Sequence, residues 1–358
     1  MRGVQAAILA IGMLIADSCA RTPAWLSIAS AAEPAERPAD VSVALTGRLQ
    51  TLAFTSDGKR IACFAKSDGL VLVDTSDGRI VNRRKKLDWA NSLAVSGNGK
   101  LLATGSNTGH VGIWSVGTLE PVADIAVCQG SIYAVAIAPD GAILASCAAD
   151  GTVQLWDIAA RRKLRDLGQH GERMQMLVFS PDGKRLASTS RYGRIGLWEV
   201  ATGKLLASRA GRPPFSLPVT DSFGRDGKSL LIGSYDEVVV WDFTADRVIH
   251  SDATPEALVT FDAADRVGNG ASYMRSTGPT IVLSDQRTAA TVDFYGRIAL
   301  WDLPTRGIKQ LLAGTRVRQL GGGGVEVITC SSDGRLLAAG NRNGRLEIWR
   351  LPAAAEKH

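Results

Sequence analysis

A unit of about 42 residues recurs along this chain, and this repeat constrains the fold more than any other feature of the sequence. In each copy, a turn that contains Asp or Asn is followed 15 or 16 residues later by Trp. The copies run from Asn98 to Trp114, Asp140 to Trp156, Asp182 to Trp198, Asp226 to Trp241, Asp285 to Trp301 and Asp333 to Trp349. An earlier copy runs from Asp57 to Val73, where Val replaces the Trp. Such a period indicates supersecondary units that stack on their neighbours.

Short strands are predicted inside each unit. In residues 175–200, the runs QMLVF, RLASTS and RIGLWEV are separated by the turns SPDGK and RYG. The runs are rich in β-branched and aliphatic residues and are bounded by Gly, Pro or Asp, which is the pattern of successive hairpins. No helical period of comparable strength is present. The sequence therefore predicts an all-β protein.

Four strands per unit, with a Trp at the end of the third, resemble the WD-repeat (Trp-Asp repeat) family over roughly residues 40 to 351. The Trp-Asp dipeptide is kept at Trp156, Trp241 and Trp301 and altered at Trp114, Trp198 and Trp349. The resemblance implies a seven-bladed β-propeller of four-stranded antiparallel blades, with these six tryptophans in structural roles. It also implies that the N-terminal segment VSVAL (residues 41–45) pairs with the last blade and closes the ring, because only a short polar tail follows Trp349.

The chain divides into four segments. Residues 1–32 contain a short apolar run behind Arg2, too brief for the roughly 20 residues of a spanning helix, and resemble a secretory signal peptide. An uncleaved amphipathic anchor is the alternative. Residues 33–40 are interpreted as a linker, 41–351 as the propeller and 352–358 as a tail. We therefore expect an exported protein, periplasmic or extracellular, with an insertion within residues 243–279.

Charge and cysteine content narrow the range of possible functions. The formal net charge is +6, and the basic runs at 83–86 and 161–163 are short, so we expect solvated edge strands rather than a nucleic-acid surface. The five cysteines form no C-x-x-C motif, and neither a D-x-D-x-D-G loop nor a His pair is present. The sequence predicts no metal and no cofactor.

The chain has only four histidines, and one of them, His170, has a structural explanation. By resemblance to the family, His170, Ser188 and Trp198 match a buried hydrogen-bond network, although Tyr192 stands where its Asp belongs. A structural role for His170 is favoured over a catalytic one. The other units keep fewer members of this network, so we expect the blades to depend mainly on apolar packing.

Two functions remain open. The favoured hypothesis is a monomeric, non-catalytic scaffold that binds a protein or peptide on one face, without nucleic acid, and meets a membrane only through an uncleaved N-terminal segment. The alternative is a propeller enzyme, of hydrolase or lactonase type, with a cofactor in the central channel. The repeat phase places one carboxylate in that channel, which disfavours a metal; the channel residues are Gln50, Asn91, Tyr133, Gln175, Val219, Gly278 and Glu326.

The candidate partner-binding residues lie at the loops that enter the inner strands. Exposed Trp, Tyr and Arg are the residue types enriched at interface hot spots. Seven residues of these types fall at the loop positions or in the channel: Arg48, Trp89, Tyr133, Arg173, Tyr192, Tyr235 and Tyr295. The alternative is that the aromatic residues only cover adjacent loops.

Overall fold

The computed structural model describes residues 36–352 except 86, 88, 89, 170–173, 191–193, 210–217, 225, 226, 235, 236, 254–279, 284, 286, 293–297, 306 and 313–324. The described residues are all-β, without a helix. Accordingly, this part of the chain offers no helix of the length and apolarity that crossing a membrane requires.

Two short strands, β1 (Glu36–Arg37) and β2 (Val41–Ala44), open the described region. Seven sheets follow, named first to seventh in chain order. The first holds β3 (Leu49–Phe54), β4 (Arg60–Ala65), β5 (Gly69–Asp74) and β6 (Ile80–Arg84). The second holds β7 (Ala90–Val95), β8 (Leu101–Ser106), β9 (His110–Ser115) and β10 (Pro121–Ala126). The third holds β11 (Ile132–Ile137), β12 (Ile143–Ala148), β13 (Thr152–Asp157) and β14 (Arg162–Gln169).

The remaining sheets repeat this order. The fourth holds β15 (Met174–Phe179), β16 (Arg185–Ser190), β17 (Ile195–Glu199) and β18 (Leu205–Arg209). The fifth holds β19 (Pro218–Phe223), β20 (Ser229–Ser234), β21 (Glu237–Asp242) and β22 (Arg247–Ala253). The sixth holds β23 (Thr280–Val282), β24 (Thr288–Val292), β25 (Ile298–Asp302) and β26 (Gly307–Leu312), with β1 at its edge. The seventh holds β27 (Val325–Cys330), β28 (Leu336–Asn341) and β29 (Arg345–Arg350), with β2 at its edge.

Consecutive sheets meet along their first strands, here called the inner strands. Each inner strand contacts the next, in the order β3, β7, β11, β15, β19, β23 and β27, and β27 also contacts β3. The hydrophobic core is divided accordingly, since each of its seven clusters combines residues of two neighbouring sheets. Each repeat Trp packs in this way on the preceding sheet: Trp156, for example, lies beside Val111 and Ile113 of the second sheet. Val73, at the Trp position of the first sheet, packs beside Ile348 of the seventh.

The N-terminal residues join the sixth and seventh sheets. Strand β2 pairs antiparallel with β29, Val41 opposite Ile348, as the spare VSVAL segment predicts. The Asp40 carboxylate accepts the Arg350 backbone N–H at 2.6 Å. At Gly344 the backbone φ is +85°, and a Cβ there would lie 2.2 Å from the Leu45 carbonyl oxygen. Glycine is therefore required where the last turn packs against the N-terminal segment.

Two expectations from the sequence need correction. Residues 33–40 are not wholly a linker, because Glu36–Arg37 pair in parallel with β26 as an added edge strand. Arg83 and Arg84 lie on the edge strand β6, and Arg162 and Lys163 lie on the edge strand β14, yet the first pair is not simply solvated. The Arg83 guanidinium lies 3.1 Å from the Asp68 carboxylate, and that of Arg84 lies 5.0 Å from the ring centroid of Trp114. Segments 1–32, 254–279 and 353–358 lie outside the described residues.

Candidate interaction face

The inner strands surround a cavity of about 800 Å³, and all seven sheets contribute lining residues. The second residue of the inner strand faces this cavity in five sheets; these residues are Gln50, Asn91, Tyr133, Gln175 and Glu326. The side chain of Val219, and Gly278, lie outside the described residues. Within the described lining, Glu326 is the one carboxylate. The cavity therefore presents mainly neutral amide and apolar groups.

Two arginines bind the Glu326 carboxylate near the start of β27. Arg48, directly before β3, donates its Nε to Oε2, and Arg342, in the turn between β28 and β29, donates its Nε to Oε1 at 2.7 Å. The Glu326 side chain is 17% exposed, whereas those of Arg48 and Arg342 are 46% and 54% exposed. Because the carboxylate is the more buried group, the cluster presents positive charge to solvent.

A neutral pair occupies the same position in the second sheet. The Nδ2 of Asn91 donates to Asn107 Oδ1 at 2.6 Å and to the Ile132 carbonyl at 3.1 Å. In both sheets the second residue of the inner strand bonds a turn residue 16 positions later. Sequence reasoning missed Asn107 and Arg342, although this spacing would have found both.

The structure describes two of the seven predicted binding residues. Arg48 lies beside the cavity and binds Glu326, while Tyr133 is half-buried in the cavity lining and packs against the core between the third and fourth sheets. Five residues lie outside the described part of the chain: Trp89, Arg173, Tyr192, Tyr235 and Tyr295. Their placement at the loops remains a prediction from the repeat phase.

The indole N–H groups of the repeat tryptophans differ in their partners. Three donate to a hydroxyl on the second strand of their own sheet: Trp114 to Thr104 at 2.9 Å, Trp156 to Ser146 at 3.2 Å and Trp198 to Ser188 at 2.8 Å. Trp241 donates to the Asp246 carboxylate at 3.3 Å. The indole nitrogens of Trp301 and Trp349 are buried and have no hydrogen-bond partner among the described residues. His170 lies outside them.

Comparison with models of protein families gives a match in the region of these hydroxyl-bonded indoles. Residues 86–115, 121–157 and 162–199 match the WD domain, G-beta repeat. Residues 86–199 of this chain contain WD repeats. A comparison with curated proteins finds no match.

The acidic residue of the WD dipeptide fixes the turn after the third strand. In the fifth sheet, Asp242 Oδ1 accepts the backbone N–H of Thr244 at 3.0 Å and that of Ala245 at 3.1 Å. The turn ends at Asp246, whose φ is +48°. The Asp side chain accepts backbone N–H groups that the turn leaves unpaired. The acidic residue of the dipeptide therefore has a structural role in the turn rather than a catalytic one.

In the first sheet, the buried Asp68 has its polar partners without a histidine. Asp68 is 4% exposed and accepts the Thr46 backbone N–H at 2.6 Å, in addition to its ion pair with Arg83. Asp68 thus has polar partners although its unit lacks the matching His, because Arg83 reaches it from β6.

The described cysteines are free thiols. Cys63 and Cys147 are buried, and Cys128 and Cys330 are half-buried. Burial raises the pKa of the Cys63 thiol to about 12, so this group stays protonated and unreactive at neutral pH. Over the described ranges, no group of three His, Cys, Asp or Glu side chains is placed to hold a metal ion.

Proposed function

We propose that this WD-repeat chain is a non-catalytic scaffold that binds a protein or peptide on the face where the inner strands begin. WD repeats generally mediate protein interactions, and the proteins that carry them are typically not enzymes. The observation that supports the proposal is the pairing of the Glu326 carboxylate with two arginines. Each oxygen of this carboxylate accepts a guanidinium N–H, so the one described carboxylate of the cavity is part of an ion-paired cluster that positions two arginines.

The scaffold we propose is a seven-bladed propeller in which each sheet is a blade and β2 closes the ring. Its supports are the contact of β27 with β3 and the core cluster that Val43 and Val73 share with Ile348. A ring leaves each blade covered by two neighbours and places all seven loop sets on one face. We propose further that the mature protein is exported and monomeric.

The closure can be tested by deleting residues 33–46, which contain β1 and β2. The deletion exposes two strand edges, so we expect a melting temperature several degrees lower, or aggregation. Deleting residues 1–32 is the control and should leave the melting temperature of the propeller unchanged. An unchanged melting curve after loss of 33–46 would reject the closure.

Partner capture tests the binding face. Replacing Trp89 and Tyr192 together by Ala should keep stability within about 1 kcal/mol, as for most surface changes, and weaken capture at least tenfold, or roughly 1.4 kcal/mol. The measurement is affinity capture from the native compartment, with chemical denaturation of the same variant. Undiminished capture by a folded double variant would place the site on the other face or on the insertion within 243–279. A stoichiometric metal in the purified protein would favour the enzyme instead.

A further inference from the structure

At the loops where β3 and β27 begin, the acidic side chains of the first and seventh sheets are buried more deeply than the arginine side chains that pair with them. The carboxylate side chains are mostly covered, with exposures of 5% for Asp68, 17% for Glu326 and 11% for Glu347. The arginine side chains are more exposed, at 33% for Arg83, 46% for Arg48, 54% for Arg342 and 54% for Arg345. Each acid is paired with an arginine, yet the outward charge of this region is positive.

The two arginines at Glu326 keep donors for a ligand. Each bonds Glu326 through Nε, and their Nη atoms have no hydrogen-bond partner among the described residues. A guanidinium group carries five N–H donors in a planar fork that matches a carboxylate. Because one glutamate holds both forks, their positions are fixed before a ligand arrives, which lowers the entropic cost of binding. The backbone of a third cationic residue, the exposed Lys66, is joined to that of Arg48, since the Lys66 N–H donates to the Arg48 carbonyl at 3.0 Å.

We propose that Arg48 and Arg342 bind carboxylate side chains of an acidic peptide segment of the partner, and that Glu326 positions them. This inference rests on the proposed scaffold function and names the chemistry of its partner. The pair already binds a carboxylate in Glu326, so the ligand repeats a contact that the site makes internally. The two cations paired with Glu326 come from adjacent sheets and form one compact cluster, which favours a short acidic segment over a nucleic-acid backbone.

The test uses the purified full chain and a dye-labelled hexaglutamate peptide, with hexaglutamine as the uncharged reference, followed by fluorescence anisotropy at low ionic strength. Low salt is needed because screening weakens exposed contacts. The variant is the triple replacement Arg48→Gln, Glu326→Gln and Arg342→Gln, which leaves no unpaired buried carboxylate. The control is Arg79→Gln in the turn at the opposite end of the first sheet, where the side chain is 73% exposed. Both changes lower the net charge by the same amount.

We expect the wild type to prefer hexaglutamate over hexaglutamine, the triple variant to lose at least tenfold in affinity for hexaglutamate, and Arg79→Gln to lose less than twofold. Equal losses in the two variants would mean a net-charge effect and would overturn the inference, as would equal binding of the two peptides. Tighter binding of an equally charged oligothymidylate, lost in the triple variant, would overturn it in favour of nucleic acid. Because the assay needs no native partner, partner capture that survives in the triple variant would sink this inference and leave the scaffold function standing.

Discussion

The repeat tryptophan is held differently in two parts of the molecule, the second to fourth sheets and the sixth and seventh sheets. In the second to fourth sheets, the indole N–H donates to a Ser or Thr hydroxyl, and the tryptophans are slightly exposed: Trp114 8%, Trp156 8% and Trp198 7%. In the sixth and seventh sheets, the indole nitrogens have no partner in the described structure, and burial is complete, at 1% for Trp301 and 0% for Trp349. Trp301 and Trp349 therefore lack a hydrogen-bond partner for the indole N–H within the described structure but keep their apolar packing.

The difference shows which interaction maintains the sheet. A buried donor without a partner costs about 1–3 kcal/mol, so the sixth and seventh sheets must offset this cost through apolar contacts. The seventh does so with a cluster in which Trp349 packs beside Ile298 and Leu300 of the sixth. The family pattern is matched where the hydroxyl bonds exist, within residues 86–199, while four-stranded sheets also form where these bonds are lacking.

The largest expected effect comes from removing the indole side chain of a repeat tryptophan. Trp156→Ala and Trp349→Ala should each cost about 3–5 kcal/mol of unfolding free energy, the usual range for truncating a buried aromatic side chain. Trp349→Ala should cost at least as much as Trp156→Ala, because Trp349 is fully buried. Chemical denaturation of both variants measures the order. A clearly smaller loss for Trp349 would break the argument that apolar packing compensates for the missing bond.

A smaller effect is expected from removing only the hydroxyl. Ser188→Ala deprives the Trp198 indole of its acceptor at 2.8 Å and leaves a buried donor unpaired, at a cost of about 1–3 kcal/mol. Denaturant midpoints, with Ser208→Ala on the outer strand β18 as the surface control, measure this cost. If both replacements were equally mild, the hydroxyl bond would not distinguish the second to fourth sheets.

The reverse change sharpens the comparison. Leu337 lies opposite Trp349 as Leu186 lies opposite Trp198, so Ala339 has the register of Ser188. Ala339→Ser should supply the missing acceptor and raise the unfolding free energy by about 0.5–1.5 kcal/mol, the net value of one hydrogen bond. The matched control is Ala338→Ser, whose side chain points to the other face of the strand and should destabilise. A loss of stability in Ala339→Ser equal to that in Ala338→Ser would show that the site has no room for the bond.

The sheets and their order follow from the sequence because repeat length, turn residues and strand alternation are local signals. The VSVAL pairing with β29 is predicted for a different reason: the family resemblance implies a fourth strand in each sheet, and the spare strand at one end matches the missing strand at the other. The Arg48–Glu326–Arg342 cluster is predictable only in part: the 16-residue spacing indicates the Glu326–Arg342 pair within the seventh sheet, whereas Arg48 reaches Glu326 from the first sheet, a contact without a local signal. The two-residue strand Glu36–Arg37 carries no periodic signal at all.

The smallest expected effect is the response to acid, because the turns after the inner strands of the fourth and second sheets carry Asp182 and Asn98, respectively, at the same position. In the fourth sheet, Asp182 accepts the Ser180 hydroxyl at 2.6 Å and the Lys184 backbone N–H at 3.0 Å. In the second sheet, Asn98 forms the same two contacts at 2.7 Å and 3.0 Å. The Ser180 hydrogen bond, more than any other contact, lowers the pKa of Asp182 below its ordinary value of 3.8. The stability that Asp182 contributes is therefore complete above that value and is lost as pH falls through the lowered pKa.

Exchanging the two residues tests this directly. Asp182→Asn should change the urea midpoint little at pH ~7 and should reduce the loss of stability between pH ~5 and pH ~2, because the amide cannot take up a proton. Asn98→Asp is the reverse change and should increase that loss, since its carboxylate meets the hydroxyl of Ser96 as Asp182 meets Ser180. It also removes the hydrogen bond from Asn98 Nδ2 to the Asp140 carbonyl, which lowers stability at every pH and leaves the slope as the quantity to compare. Urea denaturation of both variants across this pH range gives the two slopes. Parallel profiles for the two variants and the wild type would show that acid acts through other carboxylates, and that the second and fourth sheets are equivalent in this respect.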